Sequence, residues 1–343
     1  MASPPRSVLL VEPWLGGSHQ AWAEGLQRTS RHSIEVLGRP PGSWRTTFER
    51  SARELADTAG KTPDLVIASS MMDTAEFLAR TGFEQVPTLL YLHENQLTYD
   101  RDRPDLIRGA ANWRSVRAAD RIAFNSRFHL DDFFGALPLL EVGERDQVAA
   151  RAKSLVLPVG IDPSPDPHTR EDGPPVVLWN HRWEHDKDPQ AFIDALIAVA
   201  DLPFRLILAG AGNRIDHFVA QLGDGLRDRV LHAGFAPADR YPELLGQADI
   251  VASTARQEFF GIAVAEAMAA GAVPLVPNRL AYPELLGSDL AACLYEPGTL
   301  AERLRSMLNG EWTSFRAAAV AAGRRFGWAG VTPRYDELID EMT

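Results

Sequence analysis

The chain has 343 residues, 45% hydrophobic and 24% charged, which are ordinary globular values for a length that exceeds one core, so two domains are expected. Its net charge of −11 is uneven: residues 1–160 carry 19 Lys and Arg against 20 Asp and Glu, a net of −1, and the rest carries −10. A single cysteine, Cys293, excludes an internal disulfide framework, and no apolar run approaches the ~18 residues of a spanning helix.

The run Val8–Val11 is too short for the core of a signal peptide, so a cytoplasmic protein with no membrane partner is expected. Cys293 lies in the apolar run Ala291–Leu294 and reads as core. Short apolar, β-branched runs predict buried parallel strands at Val8–Val11, Ile34–Leu37, Leu65–Ala68, Thr88–Leu92, Arg121–Asn125 and Ser154–Leu157. Helix-length segments lie between them, such as Gln20–Thr29, Arg45–Thr58 and Ile107–Ala118. Such alternation predicts an α/β fold with a doubly wound parallel sheet.

Residues 158–175 then hold six prolines, which cannot continue a central strand, and read as an inter-domain linker. The pattern restarts, with strands expected at Val176–Trp179, Arg205–Ala209, Val230–Ala233, Ile250–Ser253 and Val273–Val276. Helices are expected near Pro189–Ala200, Arg214–Leu222, Pro237–Gln247, Gly261–Ala270 and Leu300–Leu308, and in the tail at Trp312–Arg324 and Val331–Met342. The expected division is a Rossmann-like domain over 1–160, a linker over 161–175, a second Rossmann-like domain over 176–325 and a returning helix over 326–343. Open α/β sheets bind ligands beyond the carboxyl ends of their strands, so an inter-domain cleft is the expected site.

Four motifs fall at such ends. In the first, Glu258 and Glu266 stand eight positions apart, with Phe259, Phe260 and Gly261 leading into an apolar helix and Gly271 at its expected end. The unpaired N–H groups at the helix start suit a diphosphate, and Gly261 lets backbone approach it closely. A carboxylate at Glu266, inside an apolar helix, needs donors, which the hydroxyls of a ribose would supply. A solvated Glu258 and a Glu266 that caps a neighbouring loop are the alternative for either glutamate alone. In the second, Asn180 to Pro189 follows a strand and brings Arg182 and Lys187, two cations fit to stabilise a departing diphosphate. Surface pairing with Glu184, Asp186 and Asp188 is the other reading.

The third motif, Glu12 to His19, is a turn at Gly16 and Gly17 with Ser18 as the expected helix N-cap. It closes on phosphates or is only a tight strand-to-helix turn. The fourth is His93-Glu94-Asn95-Gln96, four polar residues after the strand Thr88–Leu92; Asn125-Ser126 is a weaker case of the same kind. No metal is expected, because H-E-x-x-H and a second His or Cys cluster at ligand spacing are missing.

The Glu258–Glu266 element resembles the E-x7-E of retaining glycosyltransferases of the GT4-type group, which have the GT-B fold. The resemblance implies that Glu258 faces the donor sugar, Glu266 binds the nucleotide ribose, Arg182 and Lys187 hold the diphosphate, and His93 reaches toward the sugar. Gly16, Gly17, Asn180, Phe259, Phe260 and Gly261 join the donor set. With Gly16-Gly17-Ser18-His19, His93 to Gln96, His181 to Pro189, Ser253 to Gly261, Tyr282-Pro283-Glu284 and the Phe326–Trp328 region, the chain is similar to the queuosine-tRNA mannosyltransferase family over nearly its whole length. That resemblance implies GDP-mannose as donor, queuosine in a tRNA anticodon as acceptor, no cofactor and no metal. Ser18, His19, Glu94 and Asn95 fall on the acceptor side.

The acidic second half is a poor platform for a polyanion, whereas residues 101–127 hold seven arginines against three aspartates. Arg108 and Arg114 in that stretch, and Arg45 in the segment Arg39–Arg53 with Trp44 and Phe48, are the expected RNA contacts. A solvated helix face is the plain alternative. A lipid, glycan or small-molecule acceptor, and a non-catalytic nucleotide-sugar or RNA-binding module, stay open beside the tRNA reading.

Overall fold

A computed structural model of the chain describes residues 4–163, 173–212 and 214–343, so much of the expected linker, at 164–172, lies outside the described residues. The chain forms two compact units, Met1–Ile161 with Trp328–Thr343, and Asp162–Gly327.

The first unit holds β1 (Ser7–Glu12), β2 (Ser33–Gly38), β3 (Leu65–Ser69), β4 (Thr88–Leu92), β5 (Arg121–Phe124) and β6 (Ser154–Val156). They form one sheet in the order β2-β1-β3-β4-β5-β6, parallel at every pairing. Strands β3 and β4 are buried along their whole length, which is why they read as continuous apolar runs. The chain leaves β1 on one side and returns past it to β3, so the strand order reverses between β1 and β3. The helix Trp328–Met342 closes this unit against the helix Gly17–Thr29. The Trp22 indole donates to the Tyr335 hydroxyl at 3.0 Å, the Thr29 and Thr332 hydroxyls meet at 2.7 Å, and Ser30 donates to Asp336 at 2.5 Å. The Trp328 amide donates to the Ile161 carbonyl at 3.2 Å, so the last residue before the second unit and the first after it are tied together.

The second unit holds β7 (Val176–Trp179), β8 (Arg205–Leu208), β9 (Val230–Ala233), β10 (Ile250–Ala252), β11 (Val273–Pro277) and β12 (Leu294–Tyr295) in the order β12-β11-β10-β7-β8-β9, again all parallel. Here the reversal falls between β7 and β10. The helix Ile262–Ala270 is apolar all round because it is a core helix; Val264, Ala265 and the residues from Ala267 to Ala270 are buried. The helix Arg316–Arg324 lies against it at backbone contact: a Cβ on Gly323 would stand 2.4 Å from the Ala269 nitrogen. Cys293 is buried in the same unit, and burial pushes its thiol up to about 12, so it is the core residue its surroundings suggest.

Candidate active site

The two loops expected to bind a donor both leave the strand-order reversal of the second unit. Residues 180–188 follow β7 and residues 253–261 follow β10. Backbone and side-chain bonds lock the two together. Thr254 donates its hydroxyl to the carbonyls of Lys187 and Asp188 at 2.7 and 2.8 Å, and the Arg256 guanidinium meets Asp188 at 2.8 Å.

In that frame Lys187 Nζ lies 2.9 Å from the Gln257 carbonyl and 3.2 Å from Glu258 Oε2. Burial alone would raise the Glu258 carboxyl, but Lys187, by its charge and hydrogen bond, and the Phe260 amide outweigh it and hold the group below its ordinary value, as a carboxylate. His181 is buried beside Lys187, and desolvation with that cation drops it to about 3, so it is neutral. Arg182 is placed differently. It is half-exposed and pairs with Glu184 at 3.0 Å and Asp186 at 3.5 Å. The surface-pairing reading therefore describes Arg182, while Lys187 is the cation built into the loop core.

Glu266 is held in a second network. Tyr241 donates its hydroxyl to Glu266 Oε2 at 3.0 Å, and Asn180 Nδ2 donates to the Tyr241 oxygen at 3.0 Å and the Ala263 carbonyl at 2.7 Å. Burial lifts the Glu266 carboxyl to about 7 despite that hydroxyl. The Asn180 Oδ1 atom is buried with no partner among the described residues. Between the two networks Gly261 precedes the helix Ile262–Ala270 with φ of +95°, a left-handed conformation that favours glycine, and no side chain caps the helix. Phe259 and Phe260 are buried, and Phe260 meets Phe326 edge to face, so their side chains belong to the core.

The first unit assembles a different cluster at the end of β1. Glu12 is fully buried; its Oε1 accepts from the Trp14 amide at 2.9 Å and its Oε2 from His19 Nδ1 at 3.0 Å. His93 Nε2 lies 3.6 Å from the same Oε2, and the two imidazole rings stand 4.2 Å apart. Burial lowers the His19 pKa, but the charge and hydrogen bond of Glu12 and the charge of Glu94 outweigh it, so His19 is raised. His93 is pushed well down by burial, then by His19 and His129. Asn125 Nδ2 steadies the motif by donating to the His93 carbonyl at 2.8 Å. Glu94 accepts from Gln96 at 2.9 Å.

Several expectations on this side are corrected. Ser18 is not the N-cap: the helix begins at Gly17, which has φ of +55°, and the preceding Gly16 is extended with no side-chain cap. Gly16 is required by packing, since a Cβ there would stand 2.1 Å from Pro41. Asn95 does not face an acceptor. It is fully buried, and its Oδ1 accepts from the Leu97 and Thr98 amides at 3.1 Å, which makes it the brace of its own turn. Arg108 pairs with Asp105 and Glu49 and is largely covered, and Arg114 meets Asp73 at 2.7 Å. Phe48 is buried in the core and cannot stack on a base; Arg45 is exposed, and the side chain of Trp44 lies outside the described residues. Sequence reasoning placed Glu12 at the head of a motif without giving it a role, and missed Tyr241. Glu12 sits at the apolar strand's end, where a charged residue reads as the start of a loop, and Tyr241 carries no motif at all.

Two parallel doubly wound sheets, with a carboxylate, a lysine and an uncapped helix start at the second sheet's reversal, define a glycosyltransferase of the GT-B fold. Residues 7–161 match the model of the tRNA-queuosine alpha-mannosyltransferase N-terminal family, and residues 161–326 match glycosyl transferases group 1. The chain is 29% identical over 305 residues to the tRNA-queuosine alpha-mannosyltransferase of Drosophila melanogaster, covering 81% of each. It is 26% identical over 180 residues to the GDP-mannose:cellobiosyl-diphosphopolyprenol alpha-mannosyltransferase of Xanthomonas oryzae, covering 49% of this chain and 47% of that one. Among solved structures, sucrose-phosphate synthase of Thermosynechococcus elongatus superposes with a TM-score of 0.74 at 15% identity, covering 98% and 99% of the two chains. The catalytic domain of Arabidopsis thaliana starch synthase IV superposes at 0.73 and 12% identity, over 98% and 99%. The first match is thus to the N-terminal family of the tRNA-queuosine alpha-mannosyltransferases and the second to the group 1 glycosyl transferases, and together they span residues 7–326. Among the described residues no helix is long and apolar enough to cross a membrane.

Proposed function

We propose that this glycosyltransferase moves mannose from GDP-mannose to the cyclopentenediol of queuosine in a tRNA anticodon, with retention at the anomeric carbon, in the cytoplasm and without a metal. The observation that carries the donor half is the Lys187–Glu258 pair at 3.2 Å, set beside the helix start at Gly261. A cation and free N–H groups stabilise the charge that grows on a departing diphosphate, and Glu258 faces the sugar it leaves. Arg182 adds a second cation once it exchanges its exposed carboxylate partners for phosphate oxygens. Glu266 takes the ribose hydroxyls, and the spare Asn180 Oδ1 offers a further acceptor beside it. The acceptor proton passes to the leaving phosphate, so no separate general base is needed. His19, His93 and Glu94 of the first unit recognise the sugar and acceptor groups. The activity named for the Drosophila relative supports the choice of acceptor.

The test incubates radiolabelled GDP-mannose with tRNA bearing queuosine and with tRNA bearing guanine at the same position. Label should enter only the first. Transfer to neither, from protein whose melting temperature GDP raises, moves the acceptor to a glycan, lipid or small molecule. A larger shift with UDP, or strict dependence on a divalent ion, removes GDP-mannose.

A further inference from the structure

The cluster at the end of β1 holds two imidazoles and one carboxylate in a space that supports a single ion pair. Glu12 is fully buried on β1, and both of its oxygens are committed, one to the Trp14 amide and one to His19 Nδ1. A ring bonded through Nδ1 presents Nε2 on its opposite edge. That atom of His19 has no hydrogen bond among the described residues, and the side chain keeps 15% of its surface exposed. His93 packs against His19 at 4.2 Å with its Nε2 buried, 3.6 Å from Glu12 Oε2 and without a hydrogen bond among the described residues. Two cationic rings at that separation repel, and only one can lean on Glu12. We propose that Glu12 is a positioning residue for the sugar transfer: it holds His19 as an imidazolium with Nε2–H turned outward to substrate, and thereby keeps His93 neutral.

This inference rests on the glycosyltransferase reading for what His19 touches, and on the packing of the two rings around one carboxylate, with the electrostatics of that site, for the charge state. The ionisable groups around the pair are few. Glu12 and Glu94 favour the His19 cation, while His129 acts on His93 as a second imidazole and the rings of Trp22 and Tyr91 pack against His93 without adding negative charge. The ligand atoms of Glu12, His19 and His93 all lie within 4.8 Å of one another, a spacing that a divalent ion also accepts. A proton fits better here. The 3.0 Å between Nδ1 and Oε2 is a hydrogen-bond distance, which an ion seated between those atoms would have to break.

The experiment replaces Glu12 by Gln, which keeps the shape and removes the charge, and follows the histidine ring resonances of the full chain against pH. In the native protein His19 should titrate above the ordinary histidine value and His93 should stay neutral down to low pH. In Glu12→Gln the His19 midpoint should fall by about one pH unit or more. The turnover rate should fall about tenfold or more with the donor KM within about twofold, and its decline with rising pH should move to lower pH by the same amount. His19→Gln should remove that decline altogether, and serves if Glu12→Gln does not fold. A His19 midpoint unchanged by Glu12→Gln overturns the proposal, as does equimolar Zn2+ that raises the melting temperature of the native chain and not of the variant. Because the resonances need no substrate, absence of mannose transfer would count against the proposed acceptor and leave the charge assignment standing.

Discussion

The Lys187 ammonium stands 3.2 Å from the Glu258 carboxylate, and neither side chain exposes as much as a fifth of its surface. Their seventy-one-residue separation in the chain is closed by the parallel neighbours β7 and β10. The pair explains how a carboxylate stays ionised where burial would otherwise protonate it.

Removing one partner should therefore expose the other. Lys187→Met should lower stability by about 1–3 kcal/mol, because Glu258 loses its cation in a desolvated place. It should also lower turnover by roughly 10²- to 10³-fold. Arg182→Ala should lower turnover while leaving the melting temperature within about a degree, since exposed ion pairs contribute about 0–1 kcal/mol. Thermal melts and single-turnover transfer of labelled sugar separate the two. Equal melting losses in both variants would contradict the burial difference.

Glu266 makes stability depend on pH in an unusual direction. Its folded pKa of about 7 lies above its ordinary 4.5, so the folded state holds the proton more tightly. Its stabilising share is complete below about pH 4.5 and is lost as pH rises through about 7, at most about 3 kcal/mol. Urea unfolding of the nucleotide-free protein should show this decline, and Glu266→Gln should flatten it. Ribose hydroxyls favour the carboxylate, so GDP binding near pH 6 should release a proton, measurable by calorimetry in buffers of different ionisation enthalpy. Proton uptake would contradict the ribose assignment.

Gly323 tests the packing behind that glutamate. Gly323→Ala would bring a methyl against the Ala269 nitrogen and the Ala265 carbonyl, backbone atoms that cannot step aside. The helix carrying Glu266 must shift, at a cost of about 1–3 kcal/mol. GDP affinity should fall with stability even though Gly323 is not a ligand residue, and a variant as stable and as tight-binding as the native chain would refute the contact.

Charge reversal separates acceptor binding from structure. Arg108→Glu would set a carboxylate beside Asp105 and Glu49, so it should destabilise the first unit whatever the RNA does. Arg103 and Arg117 are exposed, and their guanidinium groups have no ion-pair partner among the described residues. Arg103→Glu and Arg117→Glu should weaken tRNA binding and reduce its log–log salt slope by about one each, with GDP binding unchanged. An unaltered slope would place the RNA elsewhere.

The sequence by itself determined the parallel strands, the crossover helices and the loops that carry chemistry. Burial on both faces writes a strand as an unbroken apolar run, and Gly261 and Gly271 mark the ends of the Glu266 helix by φ values of +95° and +114° that favour glycine. These are local properties, and local spacing reports them. The tertiary structure alone decided which groups meet across the chain. Tyr241 reaches Asn180 over 61 residues and Glu266 over 25, and Glu12 finds His93 only because β1 and β4 lie in one sheet. Counting arginines in 101–127 could not reveal that Arg108 and Arg114 are already neutralised by Glu49, Asp105 and Asp73, nor that Phe48 is core. A net charge sums residues, whereas a binding surface depends on which of them folding leaves without a partner.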